Sequence, residues 1–142
     1  MIVEAILKTK GRDVVTITET ATLDEAARSL DANGIGGLVV IDDAQRPVAV
    51  LSERDIVREL ALHGIAALQR PVAQAMTPAF VTAGPDASLS ELMVLMTDRR
   101  VRHVPIMDGD RMLGIVSIGD IVKAKIADME AEAAALQAYI RS

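Results

Sequence analysis

The chain has 142 residues, 51% of them apolar, yet its only aromatic residues are Phe80 and Tyr139, so any core must be aliphatic. A formal net charge of -5 and the near absence of stacking side chains argue against nucleic acid, whose binding rests on neutralising phosphates. Without cysteine there is no disulfide, no thiolate metal site and no thiol nucleophile, which fits a reducing compartment.

The opening "MIVEAILKTKGRD" carries Glu4 and lacks the apolar stretch of an export signal, so the chain reads as cytoplasmic. "DVVTI" reads as a short strand. Thr22, with Glu25 three residues on, forms a capping box for a helix that ends near Asn33-Gly34. The β-rich runs "GGLVVI" and "PVAVL" follow, joined by an Asp-rich turn. The run Gly34 to Ile41 is the longest uncharged apolar stretch and is strand-sized, too short for a bilayer span. Ser52 opens a second helix, and His63 suits its C-terminal end.

After "HGIAALQRPVAQAM" the order returns: "AFVTA", a turn at Pro85, a capping box of Ser88 and Glu91, a helix to Arg99-Arg100, "RHVPIM", "MLGIV", and a helix opened by Ser117. The tail "KAKIADMEAEAAALQAYIRS" is rich in strong helix formers. Its apolar positions Val122, Ile126, Met129, Ala133, Leu136 and Ile140 alternate steps of four and three. That spacing suits a coiled-coil seam or a helix packed on its own domain.

The second half copies the first. Val15-Thr16 aligns with Val81-Thr82, Leu23 with Leu89, Glu25 with Glu91 and Asp42 with Asp108. Beyond the turn, Ser52 meets Ser117, and Asp55-Ile56-Val57 meets Asp120-Ile121-Val122. The one-residue slip falls in the hairpin loop, where a length change is absorbed. Such a duplication predicts an α+β fold: tandem β-α-β-β-α repeats whose two small sheets pack together with helices outside. The boundaries are residues 1–63 for the first repeat, 64–71 for a linker, 72–127 for the second repeat and 128–142 for a C-terminal helix.

Two stretches carry chemistry. Ser-x-x-Asp, present twice, caps any helix well, because its side chains satisfy orphan amides. It also sits where strand passes into helix, where amides and a hydroxyl face the sheet end and bind phosphate. An ionised Asp there accepts hydrogen bonds from a ribose diol. The two roles are compatible. In "DRRVRHVPI", Arg99 and Arg100 read as a solvated basic helix end, whereas Arg102 and His103 alternate the faces of a strand start and suit a phosphate clamp. The first copy has Gly36-Gly37 at the matching places, without charge.

The doubled unit, with "MTPAFVT" opening the second copy and "GGLVVIDDAQRPVAVLSERDIV" and "RHVPIMDGDRMLGIVSIGDIV" as its most specific parts, resembles a tandem pair of CBS domains over roughly Ile6 to Ile126. One departure is that Ala49 stands where the second copy has Gly114. The resemblance implies adenosine-containing ligands in clefts between the repeats. Asp55 and Asp120 would hold ribose, and Ser52, Arg54, Ser117, Arg102 and His103 would lie at phosphates, with Lys10 or Arg12 in the other cleft. Adenine would lie among Val14, Ile35, Gly36, Gly37, Leu38, Thr77, Pro78, Phe80, Val101 and Val104.

The cleft of Ser52 and Asp55 would face "MTPAFVT" and "VRHVP". That of Ser117 and Asp120 would face "KGRDVV" and "GGLV". The expectation is a stand-alone regulatory module, homodimeric, binding AMP, ADP, ATP or NAD(H) as an energy or redox sensor, with an unidentified protein effector. The alternative is a ligand-free dimerisation scaffold. The sequence has no Walker motif, no nucleophile with an evident His partner and no acidic cluster for metals, so neither catalysis nor a metal is expected.

Overall fold

Helix α1 (Val3–Lys10) is an element that the sequence pattern does not announce. It buries Val3, Ile6 and Leu7 and belongs to the same compact unit as Ala83–Ser142. The other unit is Asp13–Thr82. The repeats and the compact units therefore divide the chain differently, because α1 finds its apolar neighbours among second-copy elements. The computed structural model describes residues 2–77 and 80–142.

In the unit Asp13–Thr82, β1 (Thr16–Thr18) runs parallel to β2 (Gly37–Ile41), and β2 pairs antiparallel with β3 (Pro47–Ser52). Helices α2 (Leu23–Asn33) and α3 (Glu53–His63) complete the expected β-α-β-β-α order. Thr22 and Glu25 form the capping box at α2, and Gly34, with φ 61°, ends that helix in the left-handed region where glycine is favoured. Leu23, Leu30, Leu38, Val40, Leu51, Ile56 and Val72 share one core. The stretch expected to be a linker is folded: a 3-10 helix spans Gly64–Gln69, buries Ala67, and leads into the one-turn helix α4 (Val72–Ala75).

In the other unit, α5 (Leu89–Arg99) starts on the Ser88–Glu91 capping box, and β4 (His103–Asp108) pairs antiparallel with β5 (Arg111–Ser117). The two hairpins share an irregularity at the same repeat position, Val40/Ile41 and Ile106/Met107. Of the expected strand "AFVTA", Ala79 lies outside the described residues, and residues 80–83 contribute a single parallel bridge, Ala83 to Ile106. Gly84-Pro85 follows, and proline has no N–H to carry a ladder onward. The core here is Val3, Leu7, Leu92, Val104, Ile106, Val116 and Ile121 with their neighbours.

Gly114 has a packing reason. A Cβ built on it would lie 2.7 Å from Leu7 Cδ2, so fully buried Leu7 fills the space that a methyl group would need. The C-terminal helix is no separate element. Helix α6 runs unbroken from Ile118 to Arg141. It buries Ile121, and from Met129 onward every residue is exposed. Among the described residues no helix is long and apolar enough to cross a membrane.

Candidate functional site

Each copy ends its hairpin on the serine of Ser-x-x-Asp, and each serine pairs across the sheet with the residue that starts the preceding strand, Gly37 with Ser52 and His103 with Ser117. The first helical amide of each copy is held the same way. Glu53 N–H donates to the Gly36 carbonyl at 3.0 Å, and Ile118 N–H to the Arg102 carbonyl at 2.8 Å. Register and backbone thus turn strand into helix at one fixed place, and the aspartate arrives one turn later, facing back.

At the first site, Asp55 Oδ2 accepts from Ser52 N–H at 2.8 Å and from the Ser52 hydroxyl at 3.1 Å. At the second, Asp120 Oδ2 accepts from Ser117 N–H at 2.8 Å and from its hydroxyl at 3.0 Å, while Asp120 N–H donates to Ser117 Oγ at 3.2 Å. The capping role is therefore realised in full. Three amides at the start of α6, those of Ser117, Ile118 and Asp120, are already engaged. A phosphate at this helix start would have to share or displace those donors, so the group left to accept from a ligand is the carboxylate.

The two carboxylates differ in their cations. Lys10 Nζ contacts Asp120 Oδ2 at 2.6 Å and also donates to the Ile115 carbonyl at 2.7 Å, bringing α1 to the second site. Asp55 Oδ1 instead accepts from Arg58 Nη2 at 2.9 Å, and the same nitrogen donates to the Ala75 carbonyl at 3.0 Å. The sequence reading passed over Arg58. Its signal is the i,i+3 spacing from Asp55, which puts both residues on one helix face.

The remaining expected site residues lie as follows. Lys10 reaches Asp120, but Arg12 turns to Glu4 at 3.6 Å. Arg54 and Arg102 are exposed, and His103 is half-buried. Val14, Gly36, Phe80 and Val101 are half-buried, while Ile35 and Thr77 are exposed. Gly37 is buried in β2. Leu38 and Val104 have no exposed surface and belong to the two cores, so their side chains are packing residues. Pro78 lies outside the described residues. Among the described residues no cluster of three or more His, Cys, Asp or Glu side chains could hold a metal.

Partial burial alone would raise the Asp120 carboxyl. The Lys10 hydrogen bond, the Ser117 N–H and the Lys10 charge outweigh it and hold the group below its ordinary value of 3.8. A carboxyl depressed by folding contributes stability that is present above its unfolded pKa and is lost as pH falls through the folded one. Lys10→Met is expected to move the Asp120 titration upward and to raise the pH at which acid unfolds the protein. Carbon NMR of the carboxyl and acid melts followed by circular dichroism read both, and a titration that does not move contradicts the assigned cause.

Comparison with known proteins agrees with the duplication and the fold. The sequence model of the CBS domain matches residues 3–62 and again 72–127. The mitochondrial CBS domain-containing protein CBSX3 of Arabidopsis thaliana is 31% identical over 144 aligned residues, covering 96% of this chain and 70% of that protein. The crystal structure of a CBS-domain containing protein from Agrobacterium tumefaciens superposes with a TM-score of 0.85 at 42% identity, covering 87% of this chain and 92% of that one. The CBS domain pair of protein MJ0100, solved in complex with 5′-methylthioadenosine and S-adenosyl-L-methionine, shares the fold at 24% identity, with a TM-score of 0.78 over 90% of this chain and 98% of that one. With both halves matched and the repeated strand-to-helix junctions in place, this chain is a tandem CBS-domain protein.

Proposed function

We propose that this CBS pair is a regulatory module, not an enzyme. It binds an adenosine nucleotide (AMP, ADP, ATP or NAD(H)) and transmits occupancy through contacts with a second copy or a protein effector, as an energy or redox sensor. The observation that carries the reading is a carboxylate fixed at a strand-to-helix junction with an ammonium beside it, Asp120 with Lys10. The carboxylate suits the two adjacent hydroxyls of ribose, and the ammonium suits a phosphate. Both ligands of the MJ0100 pair contain adenosine, which supports the class of ligand. Lys10 favours phosphorylated members of that class.

The rival reading, a ligand-free scaffold, draws on the completeness of the cap at Ser117. Calorimetric titration of AMP, ATP, NADH and S-adenosylmethionine separates them. Binding in the micromolar range, weakened roughly 100-fold by Asp120→Ala, is expected, since bonds to a charged group are worth about 1.5–3 kcal/mol each. If none of the four binds and Asp120→Ala lowers only the melting temperature, the scaffold reading stands.

The homodimer belongs to the same reading. On α6, Val122, Ile126, Met129, Leu136 and Ile140 are each more than half exposed, in a seam with Ala133. A helix end this short is marginal alone in water. The charges along it are self-complementary. In an antiparallel pair centred between Ala127 and Asp128, Lys123 faces the partner's Glu130 and Lys125 faces the partner's Glu132, each twice by symmetry. A dimer by sedimentation equilibrium is expected. Lys123→Glu with Lys125→Glu should give monomer, and adding Glu130→Lys with Glu132→Lys should restore the dimer. A monomeric wild type, or a dimer indifferent to these charges, contradicts the pairing.

A further inference from the structure

We infer that the two Ser-x-x-Asp sites are not equivalent: Arg58 closes the one at Asp55, and the chain takes one adenosine nucleotide, at Asp120. The inference rests on the nucleotide-binding reading above and concerns its stoichiometry and place. In both copies the Oδ2 oxygen is used alike, by the amide and hydroxyl of the motif serine. The difference lies at Oδ1. Arg58 Nη2 occupies Asp55 Oδ1 at 2.9 Å. Among the described residues no donor reaches Asp120 Oδ1.

Arg58 is fixed from both sides. Its Nη2 carries two hydrogens, one directed to Asp55 and one to the Ala75 carbonyl at 3.0 Å, so moving it would take their donor from Asp55 Oδ1 and from that carbonyl. Asp55 itself is only 6% exposed. The guanidinium is planar, permanently charged and delivered by the same helix three residues on, so its entropy cost of pairing is small. A ribose diol arriving at buried Asp55 would have to compete with a cation already in contact with Oδ1.

Asp120 is set differently. Its cation comes from α1, 110 positions away in sequence, and touches Oδ2 rather than Oδ1. Lys10 Nζ is also held by the Ile115 carbonyl at 2.7 Å, and as an ammonium with three donors it can keep that bond and still reach a ligand phosphate. Repeat equivalence sharpens the contrast. The residue matching Arg58 across the duplication is Lys123, for which no contact with Asp120 is found among the described residues, and the residue matching Lys10 is Met76, which carries no charge. One copy has a local cation on Oδ1, the other a remote cation on Oδ2. Only the second arrangement leaves a carboxylate oxygen open for the 2′- and 3′-hydroxyls.

Calorimetric titration of AMP into the full chain counts the sites. One AMP per chain is expected in wild type, retained in Asp55→Asn and lost in Asp120→Asn. Arg58→Ala should gain a second site, and Arg58→Gln, which keeps a donor for the Ala75 carbonyl but no charge, should do the same if Arg58→Ala fails to fold. Two sites in wild type overturn the inference and leave nucleotide binding intact. So does a single site lost in Asp55→Asn, or a folded Arg58 variant that still takes one AMP. Should neither Arg58 variant fold, the two aspartate variants decide alone. No binding in wild type removes the nucleotide reading, and this inference with it.

Discussion

A carboxylate that folds back one helical turn onto the end of a strand is the constraint on which both halves of this protein depend. Asp55 and Asp120 each capture the amide and hydroxyl of the serine three residues before them, with contacts of 2.8 to 3.1 Å. That bond fixes where β3 and β5 stop and where α3 and α6 begin. It also fixes the cross-strand partners, because Ser52 and Ser117 still pair with Gly37 and His103 in the sheets. The apolar residue after each aspartate, Ile56 or Ile121, is thereby aimed into its unit's core. One local interaction sets register, helix direction and packing together.

A buried or half-buried carboxylate is costly without a cation. The two copies meet that demand by different routes, Arg58 from within α3 and Lys10 from α1. The second route ties the N-terminal helix to the second copy's elements, in keeping with α1 sharing a unit with residues beyond Ala83. It makes Lys10 the contact between α1 and the strand-to-helix junction of the second copy. Duplication preserved the serine and aspartate while the compensating charges diverged, so equal motifs need not mean equal sites. The Lys10 contact and the Ser117 amide together outweigh burial and hold the Asp120 carboxyl below its ordinary value.

Much of this could be read from residues alone, wherever the controlling interaction is local. Capping boxes at Thr22, Ser88 and Ser117, and the glycine that ends α2, are interactions within a few residues, and they fell where the pattern put them. What escaped depends on distant neighbours. The N-terminal segment is a helix because Val3, Ile6 and Leu7 find the second copy's core, something no periodicity in so short a segment announces. "AFVTA" has strand composition, but among its described residues one, Ala83, is in register with β4. Gly114 is explained by Leu7, a residue more than a hundred positions earlier. At the site the same rule holds. The serines and aspartates are visible in sequence, and Lys10 entered through family likeness, but Arg58 acquires its meaning only when the Ala75 carbonyl is seen beside it.

The central claim is that Asp120 recognises the ribose diol of an adenosine nucleotide, and the most direct measurement compares AMP with 2′,3′-dideoxyadenosine monophosphate by calorimetry on the wild-type chain. The two differ only in the hydroxyls that the carboxylate would accept from. The account predicts that the dideoxy compound binds about 100-fold more weakly or worse, as the loss of two bonds to a charged acceptor requires. Equal affinity for the two would contradict it and leave Asp120 as a helix cap.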